Sequence, residues 1–361
     1  MNNPYMNLPS EAFWRSGVAD LDMMDIKGLW TPKYKMGRWQ RFATFGSCFA
    51  QHFGKALARE RFKWHDGEPA PVGMSADNKN LFNYERFSVR TANIYTTSLL
   101  NQWVSWALNI KSAPEIFWEK DGRFYDPFRP RIEPNGFASV EEMLRSRQLT
   151  IEALGEVIRT TNVFVFTLGL TESWFDVEGG FEYPMCPGTA AGDFDKKKHK
   201  FMAQSYDFVE KNLNTVIGLL RAANPDIKIL LTVSPVPLTA TNSGKHVLVA
   251  SSASKSILRA VAETTANNMP YVDYFPSYEI INSPVFKGAF FKPNQREVQQ
   301  FGVDFVMRNF FAGIGHEMTS DEERARIKVA HRKKVEAQQK MEDIACEEEI
   351  LAQFAGEGAK T

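Results

Sequence analysis

The sequence predicts an α/β protein in which a parallel sheet is covered by helices on both faces. Short apolar runs that end in Gly, Ser or Pro are typical of buried strands. These runs alternate along the chain with amphipathic helical patterns, and such alternation indicates a parallel sheet. The predicted strands are 41–46, 162–169, 227–236 and 269–277. The predicted helices are 49–62, 139–161, 205–224 and 251–267.

Three further segments do not fit this alternation. Residues 110–140 and 175–201 are rich in Pro, Gly and aromatic residues, and we expect them to be insertions that cover or line a cleft. Residues 317–361 are dense in charge and contain few apolar positions, which predicts a charged C-terminal helix. That helix would either pack as a solvated element or contact a partner or a second copy of the chain, because its apolar positions form no clean heptad.

Composition narrows the classes of function. The 361 residues include 43 basic and 43 acidic side chains, so nothing in the overall charge favours nucleic acid as a partner. Cys48, Cys186 and Cys346 form no C-x-x-C pair, which argues against a disulfide framework and a zinc site. No Gly-rich nucleotide loop, signal peptide or membrane-spanning apolar window stands out. We therefore expect a cytoplasmic protein without a metal.

The first predicted strand gives way to a helix at Gly46, Ser47 and Cys48. In an open parallel sheet, the loops at the carboxyl ends of the strands form the binding crevice. Backbone N–H groups at the start of a helix can stabilise an oxyanion, so Ser47 is a candidate nucleophile. Two alternatives stay open. Ser47 could simply cap the helix, or Cys48 could be the nucleophile, with His52 one helical turn further on.

Several blocks of sequence resemble the GSCFA-domain family, whose members are grouped with the SGNH/GDSL-type hydrolases. The pentapeptide GSCFA itself stands at residues 46–50, and further matches extend over about residues 37–312. These matches are NIYTT (93–97), FRPRIEP (128–134), FVFTLGLTESW (164–174), LTVSPVPLTAT (231–241), HVLVA (246–250), SKSILR (254–259) and YFPSYEII (274–281). The resemblance implies a flavodoxin-like three-layer α/β/α domain over residues 37–316, preceded by an N-terminal extension over 1–36.

The resemblance also implies that Ser47 attacks the carbonyl of an ester or acyl group. Oxyanion or substrate-binding roles would fall to residues beside Ser47 and to the counterparts of the second and third blocks of the superfamily. These residues are Gly46, Cys48, Asn93, Gly169 and Thr171. The third block of the superfamily reads Gly-x-Asn-Asp, whereas Thr171 and Glu172 occupy the last two places here.

The general base is not at the position that the superfamily uses. Residues 290–307 correspond to its usual Asp-x-x-His motif and contain no histidine. His246 follows the third predicted strand at the same edge of the sheet as Ser47, so we predict that His246 is the base. The carboxylates that could orient its ring are Glu172, Asp273 and Glu279. The alternative is that His246 only hydrogen-bonds its loop or a ligand.

Arg129, Lys255 and Arg296 are candidates for binding a carboxylate, a phosphate or a sugar hydroxyl, and their alternative is a role in ion pairs. With the resemblance, these features predict a serine esterase or O-acyltransferase that acts on a small-molecule or glycan ester. The predicted substrate class is a carbohydrate ester. A hydrolase would need no cofactor, whereas a transferase would use an acyl donor such as acyl-CoA. The alternative from another class is a non-catalytic protein that binds a glycan or a partner.

Overall fold

The computed structural model describes residues 3–319, in which strands and helices alternate along the chain. The strands are β1 (Arg41–Gly46), β2 (Lys63–Trp64), β3 (Trp118–Lys120), β4 (Arg123–Tyr125), β5 (Val163–Leu168), β6 (Glu172–Asp176), β7 (Glu182–Tyr183), β8 (His199–Ala203), β9 (Lys228–Val233) and β10 (Val272–Tyr274). The helices are α1 (Cys48–Arg59), α2 (Ala76–Leu81), α3 (Thr97–Ala107), α4 (Val140–Thr160), α5 (Tyr206–Ala223), α6 (Val247–Asn268), α7 (Ser277–Asn282) and α8 (Gln300–Gly313).

Five strands form one parallel sheet in the order β10-β9-β5-β1-β2. Numbered by their order in the chain, these strands run 2-1-3-4-5 across the sheet, which is the flavodoxin-like order. The predicted α/β fold is therefore confirmed. The two-residue β2 was not predicted, because so short an edge strand has no detectable period.

Apolar side chains cover both faces of this sheet and make it the middle of three layers. On one face, β-strand residues such as Phe45, Phe166 and Leu231 pack against α3, α4, α5 and α6. On the other face, Phe42, Val165 and Leu230 pack against α1, α7 and α8. Successive strand residues point to opposite faces, so strands this deeply buried read as continuous apolar runs rather than as alternating ones.

The two predicted insertions contain small antiparallel elements. The first contains the hairpin of β3 and β4. The second contributes to a three-stranded sheet in the order β7-β6-β8, which follows directly after β5 in the chain. This small sheet forms one wall of the cleft described below.

The N-terminal segment packs onto the domain rather than standing apart from it. Trp30 stacks on Phe310 of α8, and the backbone N–H of Lys33 donates to Asp273 in β10. The predicted charged helix begins at the edge of the described residues and lies outside them. Among the helices of residues 3–319, none combines the length and apolar character needed to cross a membrane.

Candidate functional site

The site lies where the order of the sheet reverses, between the adjacent strands β1 and β5. The chain leaves β1 through Ser47 into α1, and it leaves β5 through Gly169 towards the small antiparallel sheet. Connections that diverge from two neighbouring parallel strands leave a crevice at their carboxyl ends. Ser47 and Gly169 are therefore at the position where flavodoxin-like folds bind ligands.

The Ser47 hydroxyl is buried and has no hydrogen-bond partner. Its side chain is 3% exposed, and although Ser47 is the N-cap residue of α1, its Oγ accepts no backbone N–H of that helix. By contrast, Ser139 caps α4 and Ser205 caps α5 through their hydroxyls. The capping alternative for Ser47 is therefore not the arrangement that the structure shows.

Two glycines allow the backbone to approach Ser47 closely. Gly46 has a φ of +127°, and a Cβ there would lie 2.2 Å from the carbonyl oxygen of Thr167 in β5. A Cβ on Gly169 would lie 3.2 Å from Cβ of Ser47 and 3.0 Å from the carbonyl oxygen of Tyr95. Larger residues would separate β1 from β5 or push the Gly169 turn away from the hydroxyl.

A third segment, containing Asn93 and Tyr95, joins these two turns. The N–H of Ile94 donates to the carbonyl of Gly46 at 2.8 Å, and the N–H groups of Gly169 and Leu170 donate to the carbonyl of Tyr95 at 2.9 and 3.2 Å. The structure thus brings the predicted residues Gly46, Ser47, Cys48, Asn93 and Gly169 into one neighbourhood. The N–H of Gly169 is engaged in holding that neighbourhood together.

Two further backbone donors near the hydroxyl are also engaged. The N–H of Thr171 donates to Ser254 Oγ at 3.0 Å, and the N–H of Ser47 donates to the Thr167 carbonyl at 3.1 Å. In this conformation these N–H groups fix the turns, and an oxyanion would have to replace one of their present partners. Asn93 is buried, and its Oδ1 accepts from Gln51 Nε2 at 3.1 Å.

Lys255 lies on the buried face of α6 and contacts the Gly169 turn. Its side chain is 4% exposed, and its Nζ donates to the Gly169 carbonyl at 2.5 Å. Ser254, on the same face, accepts the N–H of Thr171, so α6 fastens the whole turn after β5. The Lys255 amino group thus holds the backbone of the turn whose Gly169 lies next to Ser47.

Ser47 lies in a cavity of about 10 Å³ that it shares with Cys48, Gly169 and Ser234. A larger cavity of about 240 Å³, here called the side pocket, adjoins it. Tyr95, Leu170 and Leu238 line both cavities and form the wall between them. The hydroxyl is therefore buried in this conformation, and the small cavity around it shares three lining residues with a space that can hold a small ligand.

The structure does not bring His246 to Ser47. His246 is exposed, caps α6, and accepts the N–H of Leu248 on its Nδ1 at 3.2 Å. Glu172 lies in the side pocket, where it accepts from Thr241 Oγ1 at 2.7 Å. Burial raises the pKa of Glu172 above its usual value, against hydrogen bonds from Thr241 and the backbone. Among residues 3–319, no histidine lines either cavity.

The other candidate histidine also lies away from the hydroxyl. His52 packs on Phe49, with ring centroids 5.9 Å apart, and does not line the Ser47 cavity. Burial, with a smaller effect of Lys55, lowers the pKa of His52 to about 4, so this ring is neutral at physiological pH. The Ser47 hydroxyl has no hydrogen-bond partner, so His52 is not hydrogen-bonded to it.

A known protein family matches most of the chain. The sequence profile of the GSCFA family matches residues 41–310, a span that begins with β1 and ends within α8. The chain belongs to the GSCFA family. No curated protein matches the sequence. The family assignment of the GSCFA chain thus covers the whole parallel sheet and every predicted site residue.

Two of the predicted binding residues of this GSCFA protein lie elsewhere. Arg129 is fully buried and pairs with Asp126 at 2.8 Å, which is the ion-pair alternative for this residue. Arg296 lies in the loop before α8 and lines neither cavity. Lys255 alone of the three is near Ser47. In the part of the chain that the structure describes, no cluster of three or more His, Cys, Asp or Glu side chains could hold a metal ion.

The sequence did not reveal Glu182, the most deeply buried acid of the side pocket. It is 2% exposed and accepts from Thr96 Oγ1 at 2.5 Å and from Ser98 Oγ. Gln204 Nε2 donates to Ser98 Oγ and to Ser173 Oγ, each at 2.8 Å. Because both hydroxyl oxygens already accept from Gln204, their own hydrogens are free to be donated to Glu182. Glu182 belongs to the second insertion, where no motif marks it. The single usable signal is an acid between two aromatic residues, in FEY.

We expect Glu182 to make the stability of the protein depend on pH. Burial raises its pKa from 4.5 to about 7, although hydroxyls hydrogen-bond to it. Between these two values the folded chain retains a proton that the unfolded chain releases. The free energy of unfolding should therefore fall by about 3 kcal/mol as the pH rises through this range. Urea denaturation of wild type and Glu182→Gln at pH 4.5 and at about pH 7 measures this change in the free energy of unfolding.

The Glu182→Gln protein should lack this part of the pH dependence, because its side chain does not ionise. Glu178→Gln is the matched control, since Glu178 is exposed on the turn before β7 and its variant should behave as wild type. An unchanged slope in Glu182→Gln would show that Glu182 ionises at its usual pH.

Proposed function

We propose that this GSCFA protein moves an acyl group from an ester by way of Ser47. It would be an esterase when water accepts the acyl group and an acyltransferase when another hydroxyl does. The observation that carries the proposal is the Ser47 hydroxyl, which is buried at the reversal point of the sheet without a hydrogen-bond partner. An unpaired buried polar group costs about 1–3 kcal/mol, and a role in chemistry is one explanation for retaining it.

In the proposed reaction, Ser47 Oγ forms a bond to the ester carbonyl carbon and gives its proton to a base. The ester C–O bond then breaks and the alcohol leaves with a proton. Water or an acceptor hydroxyl next attacks the acyl-enzyme, and Ser47 regains its proton. The positive end of the α1 dipole favours the negative charge that develops in these steps. Lys255 acts through Gly169 and is a positioning residue.

The base of this reaction stays a prediction. His246 could serve Ser47 only by leaving its cap on α6 and moving in from solvent. A carbohydrate ester is the substrate class that the family resemblance implies.

The test is covalent labelling with a fluorophosphonate, followed by intact-protein mass spectrometry. Wild type should gain one adduct, and Ser47→Ala should react at least about a thousandfold more slowly. Ser205→Ala is the matched control, because Ser205 also begins a helix but caps it with its hydroxyl. His246→Ala tests the predicted base directly. Loss of labelling would assign that role to His246, and unchanged labelling would exclude it.

The small volume of the cavity around Ser47 favours one competing function, that of a non-catalytic binding protein. With about 10 Å³ around Ser47, a ligand could occupy the side pocket without reaching the hydroxyl. Leu238→Ala separates the two functions, because it removes part of the wall between the cavities. An activated hydroxyl should then label faster than in wild type. If Ser47 stays unlabelled in both proteins, the esterase proposal is wrong and the binding function replaces it.

A further inference from the structure

Acidic side chains and no basic ones line the described part of the side pocket. Glu172 and Glu182 both line it, and among residues 3–319 no Lys, Arg or His side chain does. Lys245, in the exposed loop before α6, lowers the pKa of Glu172 by its positive charge, but Lys245 does not line the pocket. Charges in a partly buried cavity interact more strongly than charges in water. The pocket therefore disfavours anionic ligands.

The hydrogen bonds inside the pocket also disfavour a ligand that needs hydrogen-bond donors from the protein. The hydroxyl of Thr96 donates to Glu182, that of Thr241 donates to Glu172, and that of Thr189 donates to the Cys186 carbonyl. These hydrogens are thus already used inside the protein. When both acids are ionised, their oxygens offer a ligand only acceptor capacity, so the pocket then suits a hydrogen-bond donor.

One further acceptor near the pocket is unsatisfied. Gln204 is 2% exposed. Its Nε2 donates to the hydroxyls of Ser98 and Ser173, while its Oε1 has no hydrogen-bond partner. Ser173 itself lines the pocket. Burial also raises the pKa of the Cys186 thiol to about 11, so this lining residue stays uncharged at neutral pH.

Aromatic side chains form much of the remaining lining. Tyr95, Trp174, Tyr183 and Phe201 all contribute, and the rings of Trp174 and Phe201 lie 5.6 Å apart in an edge-to-face pair. The faces of such rings attract cations, and the attraction is stronger when the cation is shielded from water. Aromatic lining combined with carboxylates is suited to a cation with an apolar body.

We propose that the side pocket binds an organic ammonium group, which belongs to the part of the Ser47 substrate next to the ester. That the ligand is a substrate rests on the proposed function, whereas the binding itself does not. Tyr95, Leu170 and Leu238 lie between the two cavities, so a substrate held in the side pocket by its ammonium group would reach the hydroxyl once these side chains move apart.

Three small molecules of nearly equal shape and different charge test this proposal. They are choline, the neutral 3,3-dimethylbutan-1-ol and the anion 3,3-dimethylbutanoate. Their binding is measured by isothermal titration calorimetry on the full-length Ser47→Ala protein, in which no reaction can contribute heat, at a pH at least about one unit above 7 so that Glu182 is ionised. We expect choline to bind at least about tenfold more tightly than the alcohol, and the anion to bind most weakly. Equal affinity for choline and the alcohol, tighter binding of the anion, or no binding of choline at tens of millimolar would overturn the proposal.

Substituting the two carboxylates tests whether choline binds in the side pocket. Glu182→Gln, or Glu172→Gln if the buried variant does not fold, should weaken choline binding about tenfold and leave binding of the alcohol unchanged. Glu178→Gln, on the exposed turn, should bind choline as before. Choline binding that is indifferent to both pocket variants would also overturn the proposal. Wild type that labels at Ser47 but binds no choline would refute this inference alone, and the converse result would refute the proposed function alone.

Discussion

Replacing Gly46 by alanine is expected to lower the free energy of unfolding by about 3 kcal/mol and to abolish labelling of Ser47. The φ of +127° is one that L side chains rarely adopt, and the new Cβ would meet the Thr167 carbonyl at 2.2 Å. The backbone at Thr167 must therefore shift, and with it the hydrogen bond from Ser47 N–H that aligns β1 with β5. Urea denaturation gives the stability, and fluorophosphonate labelling gives the reactivity.

Gly37→Ala is the matched control for this substitution. Gly37 is exposed just before β1, its φ is outside the left-handed region, and a Cβ there would meet no atom within 4 Å. Its stability should stay within about 0.5 kcal/mol of wild type. A Gly46→Ala protein as stable and as reactive as Gly37→Ala would mean that the turn between β1 and α1 adapts to a side chain.

Asp126→Asn should destabilise the protein by about 3–5 kcal/mol, because it leaves two buried guanidinium groups without their counter-charge. Asp126 contacts Arg129 at 2.8 Å and Arg147 at 2.9 Å, and all three side chains are at most 2% exposed. Burial alone would raise the pKa of Asp126, but Arg147 and Arg129 outweigh it and hold that pKa below its usual value. The carboxylate is therefore charged in the folded protein. Urea denaturation of wild type and Asp126→Asn at neutral pH measures how much the free energy of unfolding falls when that charge is removed.

Glu152→Gln provides the comparison on the surface. Glu152 lies 4.0 Å from Arg145, and both side chains are more than half exposed, so its loss should change stability by less than about 0.5 kcal/mol. If Asp126→Asn were no more harmful than Glu152→Gln, the buried arginines would have found other acceptors. The contrast also explains why a motif arginine such as Arg129 reads from sequence as a ligand-binding residue although it is buried in a structural cluster.

The fold could be predicted because its signals are local. Continuous apolar runs such as 162–169 and 227–236 became β5 and β9, and their Gly, Ser and Pro endings marked the carboxyl edge of the sheet. Helix α4 begins and ends within a residue of its predicted bounds, because Ser139 caps it with its hydroxyl. The short β10 ends before its predicted bound, since apolar residues after it belong to a turn and to α7.

The site could be predicted only in part, because a side chain's direction depends on tertiary contacts. Pattern and resemblance together located Ser47 at the sheet edge. His246 follows β9 at the same edge, yet as the cap of α6 it faces solvent. Lys255 carried a usable signal, since Ser251, Ser254, Lys255 and Leu258 follow the spacing of one helical face and all are buried. Glu182 carried almost none, because its hydroxyl partners come from segments far from it in the sequence.

The joining of the turns at Gly46, Tyr95 and Gly169 has a consequence for how the protein reaches its native state. These turns are distant in the sequence, and the hydrogen bonds between them form only after β1 and β5 have paired. Long-range parallel pairing of this kind is a slow event in refolding. A reactive Ser47 would therefore arise only in chains that have completed this pairing. The yield of adduct after a timed pulse of probe would then report how many molecules have finished folding.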